Sequence, residues 1–160
     1  MHHIYTLRNI LVLLLAVLFS IALSGCSGES KSATPETSAY KIFKEAKNDN
    51  DGIVNVAFFE KQETMPARMN ITYQYYPLGK DLKREIGVNM ASKIKKLYET
   101  VPEIDETVFT IQLPYQDKYG NTTWKKSIQF TFTRDIYEKV NWDDFTDNRL
   151  LDIAENITTK

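Results

Sequence analysis

Imidazole and thiol, the side chains that carry most acid–base, nucleophilic and metal chemistry near neutral pH, occur in this 160-residue chain only as His2, His3 and Cys26. All three stand beside one apolar run at the amino terminus, so none belongs to the stretch that can build a folded pocket. From residue 27 onward the chemistry-bearing candidates are carboxylates, lysines and hydroxyls. No G-x-S-x-G elbow, phosphate-binding glycine loop or His/Cys ligand spacing accompanies them. The sequence therefore assigns no catalytic residue, no metal and no cofactor. A carboxylate pair such as Asp135 and Glu138, or a Lys–Ser pair brought together in space, is the remaining route to a hydrolase or lyase.

Cys26 has a specific setting. A short polar segment carrying Arg8 precedes Ile10 to Leu23, an apolar run of about 14 residues broken only by Ser20. A membrane-spanning helix wants about 20 apolar residues. The run ends in Leu23-Ser24-Gly25-Cys26, which resembles the lipobox of bacterial lipoproteins. The resemblance implies that residues 1–25 are an export signal and are removed. It also implies that the Cys26 thiol is alkylated by diacylglycerol, so that the lipid holds the chain to a membrane. The location implied is the outer face of the plasma membrane in a Gram-positive cell, or the outer membrane in a Gram-negative one, since Ser27 is not the Asp that favours inner-membrane retention. The resemblance implies no activity for residues 27–160.

The charge excludes one class of partner. Lys and Arg total 20 against 21 Asp and Glu, and removal of the signal takes away only Arg8. The only arginines after Cys26 are Arg68, Arg84, Arg134 and Arg149, few for bidentate phosphate recognition. Nucleic acid is not an expected partner; another envelope protein or a glycan is.

Residues 26–38 hold only small and polar side chains, with no apolar one larger than Ala33, and read as a flexible tether. Residues 39–160 read as a single α+β domain. Tyr40, Phe43 and Ala46 recur at helical spacing, with Thr37 or Ser38 as a cap. Ile53 to Glu60 is apolar on both sides, the mark of a strand covered on both faces and central in a sheet. Arg68 to Tyr76 alternates, with Met69, Ile71, Tyr73 and Tyr75 inward. From Asp81 a long amphipathic helix runs through Leu82, Ile86, Met90, Ile94, Leu97 and Tyr98. Thr107–Tyr115 and Trp124–Arg134 alternate about Asp117-Lys118-Tyr119-Gly120-Asn121, a hairpin whose second strand turns Trp124, Lys126, Ile128, Phe130 and Phe132 to one side. Asn141 caps a last predicted helix from Trp142 through Phe145, Leu150, Ile153, Ala154 and Ile157. The order α-β-β-α-β-β-α predicts a four-stranded, mainly antiparallel sheet with helices packed on one face.

The other face is the candidate site. Its predicted outward residues are Asn70, Thr72, Gln74 and Tyr76, then Thr110 and Gln112, then Ser127, Gln129, Thr131 and Thr133, short of charge for an exposed surface. Uncharged amides and hydroxyls with a Tyr suit neutral hydrogen bonding and stacking to a glycan or to a partner's sheet. Solvated strand faces rich in Thr have the same composition.

Three other clusters have simpler readings. Asp49, Asp51, Gly52, Val54 and Asn55 resemble the middle of an EF-hand or dockerin calcium loop, but Lys47 and Phe58 occupy its first and twelfth positions, so the closing carboxylate is missing. Asp143, Asp144, Asp147 and Asp152 suit the start of a helix. Lys80, Lys83, Arg84, Lys93, Lys95 and Lys96 read as a solvated helix face, and Thr64-Met65-Pro66 as an apolar loop tip. The expected role is a membrane-anchored, non-enzymatic binding or accessory module, in envelope assembly, transport, or immunity or exclusion. A carboxylate- or Lys-based hydrolase or lyase, or a structural spacer, are the alternatives.

Overall fold

The computed structural model describes residues 33–44 and 52–159. Cys26 and residues 1–32, and the Asp49 and Asp51 positions of the calcium-like loop, lie outside the described residues. No helix among the described residues is long and apolar enough to cross a membrane.

Helix α1, Pro35–Lys44, begins inside the segment expected to be tether. The Thr34 hydroxyl accepts a hydrogen bond from the Thr37 N–H at 3.2 Å, and Pro35 stands in the first turn, where a missing N–H costs nothing. Ser38 and Ala39 are already buried, together with Ile42 and Phe43, so any tether ends at Thr34.

The sheet has five strands: β1 (Gly52–Phe59), β2 (Arg68–Gln74), β3 (Glu106–Gln116), β4 (Thr122–Thr133) and β5 (Glu155–Thr159), neighbours in that order. Three pairings are antiparallel, but β2 and β3 run parallel, so the sheet is mixed. A parallel pair needs a crossover, and helix α2, Leu82–Thr100, supplies it. Asp81 caps that helix, its Oδ1 accepting from the Arg84 N–H at 3.1 Å.

Two elements depart from expectation. β1 lies at the edge of the sheet instead of its centre. A bulge at Val54, between the pairs Ile53–Tyr73 and Asn55–Thr72, shifts its phase, so Ile53, Val56 and Phe58 pack on the core while Val54 is 47% exposed. The single helix expected from Trp142 to Ile157 is absent. The chain forms a short helix α3 (Arg134–Lys139), a turn closed by Asp144 N–H on the Asn141 carbonyl, a 3₁₀ turn (Asp147–Arg149), a one-turn helix α4 (Leu150–Ile153) and then β5. The apolar residues of this stretch still reach the core: Leu150 and Leu151 are buried and Trp142, Phe145, Ile153 and Ile157 pack against it. No helix continues beyond Ile153, because Asn156 takes a positive φ of 51° and Ile157, Thr158 and Thr159 prefer strand. The element order is therefore α-β-β-α-β-β-α-α-β, with one strand more than expected.

One core serves the domain. The inward residues Met69, Ile71, Tyr73, Phe109, Ile111, Ile128, Phe130 and Phe132 join Phe43 of α1 and Ile86, Met90, Ile94 and Leu97 of α2 in a single buried cluster, so the helices share one side of the sheet. Arg134 ties the end of α2 to this sandwich. Its Nε donates to the Ile104 carbonyl, Nη1 to Tyr98, and Nη2 to Val101 and Pro102, all at 3.0–3.2 Å, while the guanidinium lies 4.8 Å from the Tyr98 ring centroid. The Tyr98 carbonyl is one that the helix end leaves without an N–H partner, since residue 102 is proline, while the Val101 carbonyl also accepts from the Ile104 N–H at 3.3 Å; a cation there also opposes the helix dipole.

Candidate functional site

The register arranges the face of the sheet that no described helix covers in rows running across β2, β3 and β4. From one end they are Arg68–Glu106–Thr133, Asn70–Val108–Thr131, Thr72–Thr110–Gln129 and Gln74–Gln112–Lys126. Continuing the alternation past Gln74 sets Tyr76 level with the pair Pro114–Trp124. Eight expected residues, Asn70, Thr72, Gln74, Tyr76, Thr110, Gln112, Gln129 and Thr131, and Thr133 with them, share this face. Most are half-buried, because side chains on a flat sheet shade one another, and Tyr76 is 37% exposed. Thr131 is the exception at 7%, so its hydroxyl offers little to a ligand.

A break in register at Ser127 brings onto this face two residues that strict alternation turns inward. Ile111 pairs with Ile128 but Gln112 pairs with Lys126, which leaves Ser127 as the extra residue of a β-bulge. Below the bulge the phase of β4 reverses. Lys126 and Trp124 therefore point to the open face, correcting the expectation that both turn toward the core. The Trp124 ring meets the Tyr76 ring edge-on, with centroids 5.5 Å apart and an interplanar angle of 85°. Beside them Gln74 Nε2 donates to Gln112 Oε1 at 3.3 Å, and Lys126 Nζ donates to Gln129 Oε1 at 2.5 Å. At the opposite end Arg68 and Glu106 form an ion pair.

Two hollows flank the β1–β2 side. A recess of about 180 Å³ is lined by Phe59, Glu60, Gln62, Met65, Pro66, Arg68 and Asn70. Met65 stands at the base of a tight turn in which Gln62 and Met65 exchange backbone hydrogen bonds, so the loop tip is Glu63-Thr64. Asn70 Oδ1 is buried there with no hydrogen-bond partner among the described residues. A broad depression of about 910 Å³ holds Glu36, Glu60, Glu103 and Asp105 with Lys61. Asp105 is structural: its Oδ2 accepts from the Ala67 N–H at 2.9 Å and lies 3.2 Å from Lys61 Nζ. That N–H, aided by Lys61, holds its carboxyl below the usual carboxylate range.

The remaining clusters disperse. Asp135 pairs with Lys139 at 2.6 Å on exposed α3, away from any convergent set with Glu138. Asp144 accepts from Asn141 Nδ2, and Asp152 pairs with Arg149, so the four acids do not gather. Among the described residues no group of three or more His, Cys, Asp or Glu is placed to hold a metal ion. Lys93 leaves the basic helix face altogether. It is buried, donates to Asn89 Oδ1 at 2.7 Å and lies 5.5 Å from the Tyr73 ring centroid.

Comparison of the chain with protein-family models, with curated proteins and with solved structures finds no match.

Proposed function

We propose that this chain is a lipid-anchored, extracytoplasmic binding module, held by Cys26 and acting without catalysis through the open face of its sheet. The observation that carries the reading is the face itself: rows from three adjacent strands, uncovered by any described helix and dominated by amides and hydroxyls. Such side chains bind by neutral hydrogen bonds, and their mutual contacts fix them before a ligand arrives, which lowers the entropy lost on binding. The lipobox-like Leu23-Ser24-Gly25-Cys26 supports the anchoring.

Two measurements test the reading. Cells expressing the full chain are expected to incorporate a fatty-acid label that Cys26→Ser abolishes; labelling that survives the substitution refutes the anchor. A photo-crosslinking residue at Thr72 or Gln112 is expected to give a discrete envelope adduct, competed by unlabelled chain, whereas the same residue at exposed Lys96 on α2 gives none. Equal labelling from the helix and the sheet refutes the open face as the binding surface.

A further inference from the structure

Resting on the open-face reading, we infer that the end of the face carrying Tyr76, Pro114 and Trp124 is a subsite for a glycan. The backbone of the Gln74–Gln112–Lys126 row is used in the ladders, and Pro114, where β2 has ended, has no N–H to offer, so a ligand here is recognised chiefly through side chains. A protein partner buries a broad apolar centre inside a polar rim. This face offers one narrow apolar row, Tyr76 just past the end of β2 with Pro114 and Trp124, and the Gln74–Gln112–Lys126 row immediately beside it.

A pyranose ring has the matching shape. Its axial C–H face is apolar and about as wide as one aromatic side chain, and its rim carries hydroxyls that both donate and accept. Tyr76 and Trp124 supply rigid rings with polar edges. The contact between Gln74 and Gln112 uses one amide hydrogen of the first and one lone pair of the second, so the pair keeps donor and acceptor capacity for adjacent hydroxyls. Lys126 supplies the one cation of these two rows, which include no carboxylate. It suits an acetamido carbonyl or a uronic carboxylate on the sugar. The bulge at Ser127 is what presents both Trp124 and Lys126, and bulges re-aim side chains in this way beside functional sites.

The test is calorimetric titration of the full chain in detergent micelles with chitohexaose and with an oligogalacturonate hexamer. Saturable binding of at least one glycan is expected, weakened about tenfold by Trp124→Ala and by Tyr76→Ala, and partly restored by Trp124→Phe. Lys126→Met separates the two sugars: loss confined to the galacturonate assigns the cation to a carboxylate, and loss on both assigns it to a neutral acceptor. Each variant is checked by thermal melting to be folded. No binding of either glycan at millimolar concentration overturns the inference, as does binding that both alanine variants leave unchanged. If glycans fail while Thr72 or Gln112 crosslinks a protein, the glycan subsite falls and the open-face reading stands. If the crosslinks fail as well, both fall.

Discussion

Replacing Arg134 by Met is expected to destabilise the domain more than any other single change at its surface. The guanidinium spends four of its five N–H donors on the carbonyls of Tyr98, Val101, Pro102 and Ile104, at the end of α2 and the approach to β3. Methionine keeps much of the stem's packing and removes every donor. Pro102 is exposed and water can take over its carbonyl, but Tyr98, Val101 and Ile104 are buried residues. Counting two acceptors as left unsatisfied at about 1–1.5 kcal/mol each, with about 0.5–1 kcal/mol for the lost cation at the helix end, the cost is about 3 kcal/mol. For a domain of this size that is about 10 °C in melting temperature. Urea unfolding in a Trp124→Phe background, followed by the emission of Trp142, measures it, since Trp142 lies against Tyr137 and Phe132 beside the clamp. Arg134→Lys is expected to lose about 2 kcal/mol, because one ammonium cannot reach carbonyls spread along a plane. A loss below about 1 kcal/mol for Arg134→Met would refute the view that these contacts hold the helix end.

Further perturbations test other joints of the fold. Gly87→Ala adds a Cβ that would stand 2.6 Å from the Asp147 carbonyl oxygen and 3.1 Å from Asn148 Cα, both backbone atoms. A loss of about 1–3 kcal/mol in thermal melts is expected, against the gain of about 1 kcal/mol that Ala brings to an exposed helix; a gain would show that the 3₁₀ turn yields freely. Asp105→Asn is expected to be destabilising at pH 7 and neutral in strong acid. The folded carboxyl titrates below its unfolded value, so its contribution is present above about pH 4 and lost as pH falls through the folded pKa; a difference between the two proteins that grows below pH 4 would reverse the sign and refute the assignment. Deleting Ser127 is expected to remove the bulge while keeping Lys126 opposite Gln112 and Trp124 opposite Pro114, so the Tyr76–Trp124 ring contact, read as the NOE between the rings, persists; loss of that NOE would refute Ser127 as the extra residue.

Much of the fold is legible because one face of each element is apolar. Met69, Ile71, Tyr73 and Tyr75 alternate, Ile86, Met90, Ile94 and Leu97 recur at helical steps, and all are buried. The missed features are places where periodicity is silent or shared. Pro35 breaks a helix interior but begins a helix, and only the hydroxyl of Thr34 tells the two roles apart. Phe145, Leu150, Ile153 and Ile157 fit a helical stripe and are buried or half-buried, yet burial does not require that one helix carry them. Lys93 stands seven residues after Ile86 and four before Leu97, on the buried stripe of α2, so its position indicated burial even though its charge suggested solvent. The parallel pairing of β2 with β3 is explained by the long helix between them, since a connection of that length returns the chain to the end from which it left.

The open face was legible in its composition and not in its extent, and the reason is one residue. An alternating strand reports its faces only while its phase is unbroken, and a bulge changes the phase without leaving any mark in composition. Read without interruption, β4 turns Lys126 and Trp124 to the side of Ile128, Phe130 and Phe132. The extra residue Ser127 keeps Ile128, Phe130 and Phe132 in the core and puts Lys125 in place of Lys126 opposite Leu113, where Lys125 stays exposed with its Nζ 3.5 Å from the Tyr115 ring centroid. With a lysine on either side of the shift, charge carried no signal of the bulge, and the bulge is what joins Trp124 to Tyr76. A neutral strand face alone is compatible with simple solvation. The aromatic pair beside the broken ladder is the feature that the proposed glycan subsite would use.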